Sequence, residues 1–229
     1  MQCLCKTFPV PSAQPAAAQA ARPSPPASAG TGKTVEPGGT DGRTARAERT
    51  RTAIVDALLR LLEEGDLQPT ASRIAERAGI SLRLIYHHFG DLESLFRAAS
   101  AREAERLSVF AEPIDPALPF EERVDALVAQ RAMLLEMVTP VRRAALLQEP
   151  FSEELRAARD AFQEIGCDQV RALFADEIAA LPEPRRAAVA DAISTALLWG
   201  LWNDLRTMGR SPADASAALR EILRGALRP

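Results

Sequence analysis

The chain has 229 residues, 47% hydrophobic and 26% charged, enough for one sizeable core or two smaller ones, and a soluble globular protein is expected. One Tyr and eight Phe stand against a predominance of Ala, Leu and Arg, which favours helices over strands and predicts an all-α fold. A net charge of −3 excludes a uniformly basic nucleic-acid binder but not a local basic patch, because the acid is concentrated beyond residue 98.

Residues 1–42 are rich in Pro, Ala, Gly, Ser and Thr without hydrophobic periodicity, so they bury too little apolar surface to offset the entropy of ordering. They read as a disordered tail. Pro9, Pro11 and Pro15 interrupt the region where a signal peptide needs an unbroken apolar run, and no later run is long enough to span a bilayer. Cys3, Cys5 and Cys167 have no spacing that suggests a disulfide framework or a zinc site. A cytoplasmic protein with no membrane association, cofactor or metal is expected. Residues 27–34, ASAGTGKT, loosely match a phosphate loop, with Ala27 replacing the first glycine and Lys33 and Thr34 in place. That chemistry needs a strand before the loop and a helix after it, whereas Pro23, Pro25 and Pro26 precede it and Pro37, Gly38 and Gly39 follow. Nucleotide binding is therefore the enzyme alternative, set below a non-enzymatic reading.

Residues 43–98 form the first expected domain. Arg43, Arg46, Arg49 and Arg51 give its start a local positive arm opposed by Glu48 alone. Ile54, Leu58, Leu61 and Leu62 recur at helical spacing and predict an amphipathic helix from Arg46 to about Gly65. Thr70 is placed to cap a second helix over Ala71–Ala78, with Ile74, Ala75 and Ala78 buried and Gly79 ending it. Ser81 is placed to cap a third over Leu82–His88, and Asp91 a fourth from Leu92 to about Ala111. Two short helices joined by a glycine turn match a DNA-binding helix-turn-helix when the second offers a free outward face. At 100° per residue, Leu82, Ile85 and Phe89 form the buried stripe of the third helix, Arg83 and His87 point away from it, Leu84 and Tyr86 flank, and His88 turns part-way inward.

The segment TASRIAERAGISLRLIYHHFGDLESLF, Thr70 to Phe96, resembles the helix-turn-helix of TetR-type repressors. Thr70, Ile74, Ala75, Ala78, Gly79, Ile80, Ser81, Tyr86, His88, Phe89 and Leu95 stand in that register. The resemblance implies contacts to duplex DNA from Thr70, Ser72, Leu82, Arg83, Leu84, Tyr86, His87 and His88, and from Arg49 and Thr50 on the first helix. Arg46 and Ser81 complete the candidate set. Two departures stand out. Leu92 replaces the lysine that usually meets a phosphate, and Leu82, Arg83 and Leu84 replace small or polar residues.

Beyond residue 98 the proline pattern and apolar spacing predict helices over Phe120–Val138, Val141–Gln148, Glu153–Ala180, Arg185–Thr207 and Pro212–Leu227, about nine in all. The resemblance implies that residues 99–229 bind an effector and that the last two long helices form a homodimer, so that the partners would be a palindromic operator, a second copy and a small molecule. Ala192, Thr195, Ala196, Trp199, Trp202, Leu219, Ile222 and Leu223 are the candidate interface. Phe110, Met133, Met137, Phe162, Cys167 and Phe174 are candidate liners of an apolar or amphipathic effector pocket. A helical interaction protein that kept this fold without binding DNA is the remaining alternative.

Overall fold

Ten α-helices and one 3-10 turn make up the fold, seen in a computed structural model that describes residues 39–228; no strand occurs among them. In chain order they are α1 Gly39–Glu63, α2 Ala71–Ala78, α3 Leu82–Phe89, α4 Leu92–Ser108, α5 Phe120–Gln148, the 3-10 turn Glu149–Phe151, α6 Glu153–Leu173, α7 Ala175–Ala180, α8 Glu183–Ala196, α9 Trp199–Thr207 and α10 Pro212–Leu227. The phosphate-loop-like stretch 27–34, Cys3 and Cys5 lie outside the described residues.

The short N-terminal helices form as their caps dictate. The Thr70 hydroxyl accepts from the Arg73 amide at 3.3 Å, and Gly79 adopts φ 68° to end α2 with its N–H on the Ala75 and Glu76 carbonyls. The Asp91 carboxylate accepts from the Ser94 amide at 2.7 Å, and Ser94 holds the Asp91 pKa below its ordinary value. At the far end, Ser211 and Asp214 cap α10 reciprocally, with Pro212 at its first position.

Several boundaries differ from the sequence expectation. Helix α1 begins at Gly39, not Arg46, because residues 42–49 are exposed and leave no apolar periodicity to read. Helix α4 stops at Ser108, short of Ala111, and the next residues, Val109 and Phe110, are exposed. Helix α5 runs unbroken through Pro140. A mid-helix proline loses one amide hydrogen bond, but here the helix is held from outside: the Thr139 hydroxyl donates to the Leu135 carbonyl at 2.6 Å and accepts from Trp199 Nε1 at 3.0 Å, and Trp202 Nε1 donates to Glu136 at 2.8 Å. Conversely, each of the two long helices expected after residue 152 is broken. Phe174, fully buried against Phe120, separates α6 from α7, where the Arg123 guanidinium donates to the Leu173 carbonyl at 2.6 Å and pairs with Glu177. Leu197 and the extended Leu198 separate α8 from α9, which leaves Leu197 in the core.

Two apolar cores result, and α5 belongs to both. The first joins Ile54, Leu58, Leu61 and Leu62 of α1 to Ile74 of α2, Ile85 and Phe89 of α3, Leu95, Phe96 and Ala99 of α4, and Val141 and Ala144 near the end of α5. The second joins Val124, Leu127, Val128 and Leu135 of α5 to Val170 and Phe174, Ile193 and Leu197, Trp202, and Leu219 and Leu223 of α10. Residues beyond Gly39 form one unit because α4 and α5 tie the cores together.

Candidate nucleic-acid interface

Helix α3 is fixed by its buried residues, Ile85 at 0% exposure and Phe89, and held from behind by Arg51. Arg51 Nη1 donates to the His88 carbonyl at 2.8 Å, and its guanidinium lies 4.2 Å from the centroid of the Phe89 ring. Arg51 therefore leaves the positive arm in which the sequence places it and becomes a clamp between α1 and α3.

With that face anchored, the opposite one is free. Arg83 and His87 are exposed, Leu84 and Tyr86 flank them in the open, and His88 is half-buried with its ring edge-on to His87. Leu82 corrects the helical-wheel reading: it is 41% exposed and leaves the buried stripe to Ile85 and Phe89. It sits in the first turn of α3, where no side chain packs over it from the preceding turn. Ser81 caps α3 by position without a side-chain hydrogen bond, so its hydroxyl is free for a ligand. Thr70 and Ser72 are exposed at the start of α2. From α1, Arg46, Arg49 and Thr50 line an open concavity with Ala53 and Ile80, which sets them beside the turn that leads into α3. The Thr50 hydroxyl is turned back onto the Arg46 carbonyl at 3.0 Å.

Charge sorts along the same division. On α2, Arg73 and Arg77 are neutralised by Asp66 at 2.7 Å and Glu64 at 2.6 Å. Among the described residues Arg43, Arg46, Arg49 and Arg83 enter no ion pair, so a near-neutral domain still presents free guanidinium groups on α1 and on the exposed face of α3. Unpaired arginines around a projecting helix supply both the phosphate attraction and the base-edge donors that duplex recognition requires. Leu92 packs against the first core, and the N-terminus of α4 is capped by the Asp91 carboxylate, so the phosphate anchor usual at that position is absent.

Residues 54–99 match the family model described as bacterial regulatory proteins, tetR family. The chain is also 27% identical over 191 residues to the HTH-type transcriptional regulator BetI of Burkholderia cenocepacia, an overlap that covers 76% of this chain and 90% of that relative. Its N-terminal domain is a TetR-type helix-turn-helix, and the chain is a DNA-binding transcription regulator. Solved structures agree in fold: a transcriptional regulator from Rhodococcus sp. Rha1 superposes with a TM-score of 0.60 at 20% identity over 79% of this chain and 95% of its own. A TetR transcription regulator from Haloarcula marismortui gives 0.58 at 15% identity over 79% and 97%. As such a regulator the chain binds DNA through its helix-turn-helix, and no helix among the described residues is long and apolar enough to cross a membrane.

A cavity of about 230 Å³ lies where the two cores of this regulator meet. Its walls come from α4 (Ser100, Glu103, Leu107), α5 (Arg131, Leu135, Val138, Val141, Arg142), α6 (Leu155, Phe162, Gly166) and the α8–α9 break (Leu197, Leu198, Trp199). Of the pocket residues expected from sequence, Phe162 lines it. Phe174 is buried in the second core, Phe110 and Met133 are exposed, and Met137 and Cys167 are half-buried outside the lining. The sequence does carry a signal for the buried charged liner of α5: Arg131 falls at helical spacing with Val124, Leu127, Val128 and Leu135 along one buried stripe. Among the candidate interface residues, Trp202, Leu219 and Leu223 are at most 1% exposed and belong to the second core, because the α8–α9 break turns α9 onto α5. Ala196 and Trp199 are half-buried, whereas Ala192, Thr195 and Ile222 face outward.

Proposed function

We propose that this regulator is a cytoplasmic homodimeric repressor that grips a palindromic operator with two copies of α3 and releases it when a small molecule occupies the cavity. The observation that carries this reading is the position of α4. Its first turns, Leu95, Phe96 and Ala99, are part of the core that holds α3, and its later residues, Ser100, Glu103 and Leu107, wall the cavity. A ligand that fills the cavity presses on one end of a helix whose other end sets the angle of the DNA-reading domain. Packed cores shift between discrete arrangements and do not deform smoothly, so a small displacement is passed along such an element. The ligand's leverage equals its difference in affinity for the two arrangements.

On the reading face, Arg83 is the strongest candidate for a base contact, because it is exposed, without an ion pair, and opposite the buried stripe of α3. Arg49 and Arg46 are assigned to phosphates, and Tyr86, His87, Ser81, Ser72 and Thr70 to phosphate or base edges. Arg83→Ala keeps the fold and lowers discrimination at one base pair of each half-site by about 1–3 kcal/mol, whereas Arg49→Ala weakens all sequences alike and lowers the salt slope by about one contact. Competition binding against operators with single base changes measures both. An Arg83→Ala protein as selective as the parent removes α3 from base readout.

A further inference from the structure

We propose that the molecule this cavity takes is a small monocarboxylate with an apolar body, its carboxylate held by Arg131. This rests on the reading of the cavity as an effector site and adds the chemical class of the effector.

Four arginines line the cavity, and three are already matched by carboxylates of the chain. Arg97 pairs with Glu154 at 3.1 Å, Arg159 with Glu149 at 2.9 Å, and Arg142 also closes on Glu149. Arg131 is the exception. It is 6% exposed and enters no ion pair; Nη2 donates to the Gly166 carbonyl at 3.0 Å and to Gln169 Oε1 at 2.6 Å, both neutral acceptors. Its Nε is buried with no hydrogen-bond partner. Burial pushes its pKa below the ordinary arginine value, yet a guanidinium remains protonated at neutral pH. A desolvated cation with an unused donor is a costly arrangement that an anionic oxygen relieves.

The surroundings are shaped to keep the guanidinium there. Gly166 lines the same wall, and a Cβ at that position would lie 3.2 Å from Arg131 Nη1, so any larger residue would crowd the group. Gln169 is in turn oriented by Gln130, its Nε2 donating to Gln130 Oε1 at 2.9 Å. The remaining wall near α5 is apolar, with Leu135, Val138, Val141, Leu155 and Phe162. Glu103, the one carboxylate of the lining not shared by two arginines, does not repel an anion strongly. Burial raises its pKa, and Arg106 Nη1 lies 3.1 Å from Oε2 as an ion pair without hydrogen-bond alignment. A volume of 230 Å³ is many times the ~10–15 Å³ that admits one water and leaves room for a ligand on the order of ten non-hydrogen atoms.

Octanoate, octan-1-ol and octylammonium share a body of this size and differ in the head group. Titrating each into the full chain by calorimetry at pH 7.5, with operator release followed in parallel, tests the proposal. Octanoate is expected to bind about tenfold or more tightly than octanol. Arg131→Met is expected to abolish that preference while leaving octanol affinity within about twofold, and Arg131→Lys, which keeps the charge if the Met variant fails to fold, to retain part of it. If octanol or octylammonium binds and releases DNA as well as octanoate, or if the preference survives in a folded Arg131→Met protein, the carboxylate assignment falls and the effector reading stands. If none of the three binds or releases DNA, both fall.

Discussion

Thr195→Glu combined with Ile222→Glu is expected to give a folded monomer that binds the full operator at least a hundredfold more weakly than the parent. Helices α8 and α10 pack on each other, and their inward residues Ile193, Leu219 and Leu223 belong to the second core. Their outward face carries Ala188, Ala192 and Thr195 on one helix and Ile222 and Gly225 on the other, all exposed. A two-fold interface built from this face is self-complementary, and four introduced carboxylates would meet across the axis. Joining two half-site readers raises avidity on the order of 10²–10⁴ over one, and that is the factor the variant forfeits. Light scattering gives the mass, circular dichroism the retained helix, and a mobility shift the affinity. The charges belong at these two positions because Leu223 and Trp202 are fully buried within the subunit, where a carboxylate would unfold the chain before it tested the interface. A double variant that stays dimeric contradicts the assignment.

The second large effect is local. Ile85→Asp places a carboxylate in the first core at a position with 0% exposure, among apolar side chains. An unpaired buried charge costs several kcal/mol, comparable to the whole stability of a small domain. Operator binding is expected to vanish, and hydrogen exchange to show α1–α3 unprotected while amides packed on Trp202 and Phe174 stay protected. A folded Ile85→Asp protein that binds DNA would mean that α3 turns a different face to the core.

The N-terminal helices are legible in the sequence because their signals are local. Thr70, Gly79, Ser81 and Asp91 mark helix ends through their own backbone preferences, and Ile74 with Ala75 and Ala78, then Ile85 with Phe89, repeat at helical spacing; all lie within about twenty residues. The C-terminal half depends on distant partners. Pro140 reads as a stop, and only Trp199 and Trp202, some sixty residues on, show why the helix continues. The α6–α7 break is organised by Arg123 on another helix, and the α8–α9 break by the demand that Leu197 be buried while Trp199 turns toward α5. The interface residues are ambiguous in the same way: Trp202, Leu219 and Leu223 are as apolar as a dimer face should be, and nothing in their spacing distinguishes an intrachain core from an interchain one. The pocket escapes a sequence reading for a different reason. A search among apolar residues passes over Arg131 and Glu103 because of their charge, even though Arg131 keeps the spacing of the α5 stripe.

Selection of bound sequences from a random duplex pool by the purified full chain decides whether α3 reads base edges from two copies of this regulator. One enriched motif with inverted half-sites is expected, their centres about one helical turn or a multiple of it apart, lost when Arg83 is replaced by Ala and weakened as salt rises. A pool that emerges with no enriched sequence, or a motif that Arg83→Ala enriches unchanged, would contradict that assignment.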